Sequence, residues 1–342
     1  MRGRAAGRIQ ALAFVAAGTA YPWLFAGEYM LHLGILVCLY IILTSSLNLI
    51  IGYTGQFAVA HASFYGIGAY GAVLLVTRLG LHYWLAWLLA ILLAGLGAWL
   101  IGFTTLRLKG AYLAICTFAF SELFRLMLDN WTTLTNGANG IIVRFVPPGP
   151  GLPGMPAWSF DSRHRYYYLF WILAALTVWL VAHVVTSDTG RVLKAIRQDE
   201  ILAVTVGFPA MRYKLFAFVA GSMLAAMAGA TYAPYISFIA PDLFDINETV
   251  YIMMIMMIGG IRTIAGPIWG SILLVSLPQI LGIKPSVRMI VYGFILIVIM
   301  IRLPGGLSQL VAQVARALSR GSAAPGPGAA PTSPTLAKPD DA

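Results

Sequence analysis

The sequence predicts an all-α, polytopic membrane protein with about 8–10 transmembrane helices, some of them broken or re-entrant. Three observations predict it. Of 342 residues, 60% are hydrophobic and 10% charged, against roughly 45–50% and about 25% in soluble domains. Apolar runs close to the ~20 residues that cross a bilayer recur along the whole chain. The charges between those runs mostly obey the positive-inside rule, with basic connections on one side and acidic or mixed-charge ones on the other.

Ten apolar segments are expected: Ile9–Ala26, Tyr29–Ile51, Gln56–Thr77, Tyr83–Leu106, Ala111–Leu128, Tyr166–Thr186, Leu215–Ile239, Thr249–Ile261, Ile264–Leu281 and Val287–Ile301. Arg2, Arg4 and Arg8 precede the first, and Gly18-Thr19-Ala20 imitates a signal cleavage site. The run continues through Trp23-Leu24-Phe25, longer than a signal core, so an uncleaved span is expected. With residues 1–8 in the cytoplasm, the inside connections hold Arg107, Lys109, the loop 187–214, Arg262 and the chain from Arg302. Those outside hold Glu28, the segment 129–165 and an acidic stretch from Pro241 to Glu248. Arg78, Lys284 and Arg288 depart from the positive-inside rule. An even count of spans places both termini in the cytoplasm. Residues 9–302 then form the membrane domain and 303–342 a cytoplasmic tail, disordered from about residue 321, where Pro, Ala, Gly and Ser dominate. The net charge of +10 reports loop orientation rather than nucleic-acid binding.

Thr249–Ile261 is too short to cross unaided and leads into Gly259-Gly260-Ile261-Arg262-Thr263-Ile264-Ala265-Gly266-Pro267. Gly259, Gly260, Gly266 and Pro267 mark a bend there, and a re-entrant pair of half-helices would reduce the count to eight or nine. Gly66-Ile67-Gly68-Ala69-Tyr70-Gly71 spells a dinucleotide fingerprint, but inside an apolar run with no preceding strand. Gly66, Gly68 and Gly71 read instead as close helix packing. The Met253–Met257 run and the two cysteines, Cys38 and Cys116, read as packing residues too. The sequence contains no phosphate-binding GxxxxGK[ST], HExxH or metal-type Cys/His cluster. No catalytic or metal site is expected, and any ATP-driven work requires another polypeptide.

A few polar groups lie at membrane depth. Glu122 and Arg125, at i, i+3, share a helical face. They either line a pathway or neutralise one another while packing helices or reaching for the interface. Asn48, Gln56 and His61 surround the entry to the third span, as candidates for the translocation path or as hydrogen-bonded packing residues.

From Ser187 to Lys214 the chain gathers 8 of its 34 charged side chains. Val192, Leu193 and Ile196 share one face of a short helix, and Arg191, Lys194 and Arg197 line another. Asp199 caps a second helix, Glu200–Val206, which Gly207-Phe208-Pro209 ends. The mixed signs favour a protein partner over a lipid surface.

This loop resembles that of the permeases in branched-chain amino acid ABC transporters, through Gly190, Arg191, Ala195, Ile196, Arg197, Asp199, Glu200, Ala203, Gly207 and Lys214. Three further stretches resemble the same family: Gly55-Gln56 with His61-Ala62-Ser63-Phe64-Tyr65-Gly66-Ile67-Gly68-Ala69-Tyr70; Arg107-Leu108-Lys109-Gly110-Ala111-Tyr112 through Thr117-Phe118-Ala119-Phe120, then Asn130-Trp131 and Gly137-Ala138-Asn139-Gly140-Ile141; and Gly259–Gly270. The likeness runs from about Leu43 to Leu281 and is nearest to the LivM type. Departures are Ala60 before His61, Asn136 and Asn139 where Gly and Asp are common, and Arg262 where Gly is usual.

The resemblance implies an inner-membrane importer subunit working by alternating access. It implies a LivH-like second permease as heterodimer partner, two cytoplasmic ATPases that bind the ATP and Mg, and a periplasmic substrate-binding protein. Coupling to the ATPases is then expected of Arg191, Lys194, Ile196, Arg197, Asp199, Glu200, Ala203 and Gly207. Relatives of this kind also move urea and short amides, so the substrate stays open among these. An ion- or proton-coupled transporter or channel is the rival class, and it calls for more membrane carboxylates than Glu122 and no ATPase-docking loop.

Overall fold

The computed structural model describes residues 18–23, 27–149, 159–280, 282, 285–302, 305–311 and 313. Most of the expected first span, residues 1–8, part of the outside loop and the tail from Gly321 lie outside the described residues.

The first long helix, α1 (Glu28–Leu47), is apolar on every side, so it belongs in an interior. It is the most enclosed span, with 78% of its apolar window buried. Helices α2 (His61–Leu79), α3 (Tyr83–Thr105), α4 (Ala111–Asn130) and α5 (Arg163–Thr186) follow. Two short helices, α6 (Asp188–Gln198) and α7 (Glu200–Thr205), lead into α8 (Ala210–Ile236). Helix α8 packs on α2 and α3, while α1 packs on α5 and α8. Helices α9 (Ile246–Gly259), α10 (Gly266–Ile280) and α11 (Pro285–Arg302) form a second group beside α1. A two-residue antiparallel pairing, β1 (Ile141–Ile142) with β2 (Phe238–Ile239), ties two connections together.

Among the described residues six helices are long and apolar enough to cross a membrane. Most of the first expected span lies outside the described residues, and two of the other expected segments are short. Helices α9 and α10 have only 14 and 15 residues, about 21–23 Å at 1.5 Å per residue, less than a ~30 Å hydrocarbon core. They form a hairpin whose turn is clamped from α1. Asn48 Nδ2 donates to the Thr263 carbonyl (3.0 Å) and its Oδ1 accepts from the Arg262 N–H (3.1 Å). The Tyr53 hydroxyl donates to the Arg262 carbonyl at 2.9 Å. Those bonds hold Arg262 at φ 70°, and Asn136 sits at φ 64°. Both occupy positions where glycine was noted as usual, and the left-handed backbone explains why.

The third segment also starts later than expected. After α1 the chain makes a π-helical turn, Asn48–Tyr53, and then runs without helix from Gly55 to Ala60 before α2 begins at His61. The freed donors find side chains or a local turn: the Val59 N–H reaches Thr117 Oγ1 at 3.0 Å, and the Ala58 N–H reaches the Gln56 carbonyl at 2.9 Å. A broken helix at such depth needs this internal satisfaction.

Two in-helix prolines are compensated in the same way. Pro234 in α8 removes the N–H that would bond the carbonyl of residue 230. The Tyr83 hydroxyl donates to that Ala230 carbonyl at 3.1 Å. Pro278 in α10 frees the Leu274 carbonyl, and the Tyr251 hydroxyl donates to it at 3.2 Å. Tyr83→Phe is expected to cost about 1–3 kcal/mol by orphaning a buried acceptor. Pro234→Ala in that background restores the backbone donor and should recover most of the loss, read as the melting midpoint of the solubilised protein.

The expected loops sort onto two faces. One carries the α3–α4 connection, the α6–α7 hairpin and the α9–α10 turn, joined by Lys109–Glu200 (3.7 Å) and Lys214–Glu200 (2.7 Å). The opposite face carries Glu28 with Arg163 (3.6 Å), β1–β2, and Arg78 donating to the Thr133 carbonyl at 2.9 Å. The alternation read from the charges is thus present in the fold. The GxGxxG run lies inside α2. Gly66 faces Phe124 and Phe244, Gly68 the backbone of Ala226, and Gly71 the side chain of Ala90.

Candidate functional site

The α6–α7 hairpin dominates the first face. Val192, Leu193 and Ile196 are buried, as the amphipathic pattern predicts, with Ala203 of α7 and Ala210 of α8 closing the small core. Asp199 caps α7, its Oδ1 accepting from the Leu202 N–H at 3.0 Å. Arg191 pairs with Asp188 on the exposed side of α6.

The residues expected to couple outward divide into two sets. Arg191, Asp199 and Gly207 are exposed. Ile196 and Ala203 lie in the hairpin's own core. Lys194 is exposed too, but its Nζ folds back, donating to the Val185 carbonyl at 3.1 Å and lying 5.7 Å from the centre of the Tyr53 ring. Arg197 packs under the unwound segment, with its Cγ 3.0 Å from where a Cβ on Gly55 would stand. Burial and the positive charge of Arg262 hold the Arg197 guanidinium below its usual range. Glu200 is a bracket, tying the α3–α4 connection through Lys109 and the base of α8 through Lys214.

What faces outward is apolar. Ile201, Leu202, Val204 and Val206 are 71%, 61%, 52% and 68% exposed. The sequence contained the signal, four aliphatic residues in six after a cap, but nothing in it distinguished an exposed helix face from a buried one.

The path candidates do not converge. Asn48 clamps the α9–α10 turn. His61 is buried at the start of α2, with Nε2 2.9 Å from Ser46 Oγ and 3.1 Å from the Leu43 carbonyl. Ser46 already donates to Leu43 at 2.8 Å, so the shared hydrogen belongs on Nε2 and leaves Nδ1 as an unpartnered acceptor. Gln56 lies beneath the hairpin. Glu122 and Arg125 stand apart, toward the opposite face. Arg125 contacts Glu122 at 2.6 Å, Asp129 at 2.8 Å and Asp242 at 3.9 Å, so the expected pair is part of a four-residue network.

A cavity of about 500 Å³ opens between α1, α9, α10 and α11. Tyr40 and Glu248 both line it, the Tyr251 ring meets Tyr40 edge-on at 5.0 Å, and the Tyr292 hydroxyl lies 3.3 Å from that of Tyr251. Sequence reading missed this vestibule, because it assigned Glu248 to an acidic loop and the tyrosines to separate spans. Among the described residues no group of three or more His, Cys, Asp or Glu side chains forms a metal site.

Broken helices, a charged and apolar hairpin on one face and a vestibule at the other define a multi-pass membrane transport subunit. Residues 29–300 match the family described as the branched-chain amino acid transport system permease component, and the chain belongs to that family. It is 30% identical over 316 residues to the high-affinity branched-chain amino acid transport system permease protein LivM of Escherichia coli (strain K12), covering 86% of this chain and 73% of the relative. Against the LivM protein of Salmonella typhimurium the identity is 29% over the same shares. The LivH permease of Salmonella typhimurium is 24% identical, over 69% of this chain and 79% of the relative. No solved structure matches.

Proposed function

We propose that this chain is the LivM-type, non-catalytic permease subunit of an ATP-binding cassette importer for branched-chain amino acids, in the inner membrane with both termini cytoplasmic. The observation that carries it is the α6–α7 hairpin. It presents an exposed aliphatic face on the basic side of the protein, while its inner face grips the helix break. Two ATPases supply ATP and Mg and seat this hairpin in a groove. Their closure pushes α7. Glu200 passes the push to the α3–α4 connection and α8, and Lys194 and Arg197 pass it to the π-turn. Asn48 and Tyr53 then carry it into the α9–α10 hairpin, so one displacement reaches the elements around the vestibule.

The second, LivH-like permease packs on α4. Only 28% of that helix's apolar window is buried, and its uncovered side presents Tyr112, Ile115 and Leu123 beside the half-buried Arg125 network, an apolar surface with a charged edge that suits a partner helix. A periplasmic binding protein delivers substrate to the vestibule on the opposite face. The urea, amide and ion-coupled readings find no support in the relatives' names.

Affinity purification of the chain from a strain expressing its neighbours tests the assembly. The expected result is stoichiometric recovery of two ATPases and a second permease, with ATP-dependent leucine uptake in proteoliposomes. Uptake by the chain alone under an ion gradient would refute it.

A further inference from the structure

A cavity of about 240 Å³ lies between the unwound segment after α1, the α3–α4 connection and the α6–α7 hairpin. Docking leaves the Gln56 amide unused. Gln56 lines it and is 4% exposed, yet neither Oε1 nor Nε2 has a hydrogen-bond partner. A buried amide without partners is unfavourable, because it has given up its bonds to water. The amide lacks one acceptor and one donor. Arg197 lines the same wall, and among the described residues no carboxylate lies within ion-pair distance of it. Lys109, Arg197 and Lys214 face a single carboxylate, Glu200, so the lining is cationic. Leu108, Leu113 and Ile196 supply an apolar wall.

A simple anion fits this set poorly. It would satisfy Arg197 but leave Gln56 Oε1 unpaired and meet the Glu200 carboxylate. A zwitterion satisfies both poles. The volume is below the roughly 300–1,000 Å³ of drug-sized sites, which suits a single small metabolite. We propose that this cavity binds a free aliphatic α-amino acid on the hairpin side. Arg197 and Gln56 Nε2 hold its carboxylate, Gln56 Oε1 and Glu200 its ammonium, and Leu108, Leu113 and Ile196 its side chain. The inference rests on the importer reading, which brings amino acid to this face. Occupancy bridges the helix break to the coupling hairpin, so accumulated product restrains the hinge and slows turnover.

The test uses the whole transporter, with its second permease and ATPases, in nanodiscs without binding protein. Binding of radiolabelled leucine is measured against leucinamide, which lacks the carboxylate, and 4-methylpentanoate, which lacks the ammonium. The expected result is saturable leucine binding, with each analogue competing at least tenfold more weakly. Gln56→Leu and Gln56→Glu should each weaken leucine at least tenfold in monodisperse complex. Three results would overturn the proposal: no saturable binding, as when an ATPase side chain fills the cavity; equal competition by either analogue; or binding indifferent to both substitutions. The analogue comparison needs no variant, so a folding defect in either leaves the test intact. Leucine uptake by the wild-type complex is measured in parallel in proteoliposomes supplied with its binding protein and ATP. Uptake without this binding overturns the subsite alone, and absent uptake overturns the importer reading.

Discussion

Ile201→Asp combined with Leu202→Asp is expected to abolish ATP-driven uptake and to release the ATPases during purification. The two side chains are 71% and 61% exposed, on the outer side of the α6–α7 hairpin. Burying such a side chain in a partner's groove is worth about 1.5–3 kcal/mol. Losing both, and bringing charge into the contact, weakens docking by at least about 3–6 kcal/mol, roughly 10²–10⁴-fold at 1.4 kcal/mol per decade. The hairpin itself should persist. Its core is Val192, Ile196, Ala203 and Ala210, and its cap is Asp199, none of which changes. Membrane insertion and a monodisperse profile in detergent check that. Retention of stoichiometric ATPase by the double variant would place the motor's docking surface elsewhere and leave this face for the lipid headgroups.

Gly68→Leu is expected to prevent accumulation of folded protein. A Cβ on Gly68 would fall on the backbone of Ala226 in α8. Across the same contact, a Cβ on Gly229 would fall on the carbonyl of Tyr65. The two helices therefore touch main chain to main chain, the close approach that small residues permit in lipid. No rotamer relieves the clash, because the obstruction is not a side chain. Overpacking of this kind costs at least about 3 kcal/mol, a large share of the 5–15 kcal/mol that typically holds a domain together. Gly97→Ala in α3 is the control, since nothing lies within 4 Å of its Cβ position. It should leave yield unchanged and raise the melting midpoint slightly. Equal yields from Gly68→Leu and Gly97→Ala would refute the close contact.

Much of the fold was legible because lipid imposes a single demand on every span. Side chains must be apolar over a fixed length, and a one-dimensional pattern records that directly. Most segment bounds from Tyr29 onward, the late start at His61 excepted, the short pair after Glu248 and the alternation of faces follow from it. The loop 187–214 was legible for the complementary reason, since charge gathered in so apolar a chain has to lie outside the membrane. Its internal division was not. Ile196 and Ala203 belong to the core while Ile201 and Leu202 face outward, and all four are apolar residues in short helices. Only the arrival of α8 and the α3–α4 connection decided which were covered.

The sequence by itself determined the class of protein, the order of its helices, the glycines that let α2 meet its neighbours, and the amphipathic hairpin of residues 188–205. The tertiary structure alone decided who satisfies whom. Tyr83 reaches the carbonyl freed by Pro234, Asn48 clamps a turn more than two hundred residues away, Glu248 joins the tyrosines of a vestibule, and the Gln56 amide is buried with no partner. The reason is physical. Hydrophobic periodicity reports which side chains avoid water or lipid headgroups, whereas a hydrogen bond depends on which distant segment comes within 3 Å, and no local pattern encodes that distance.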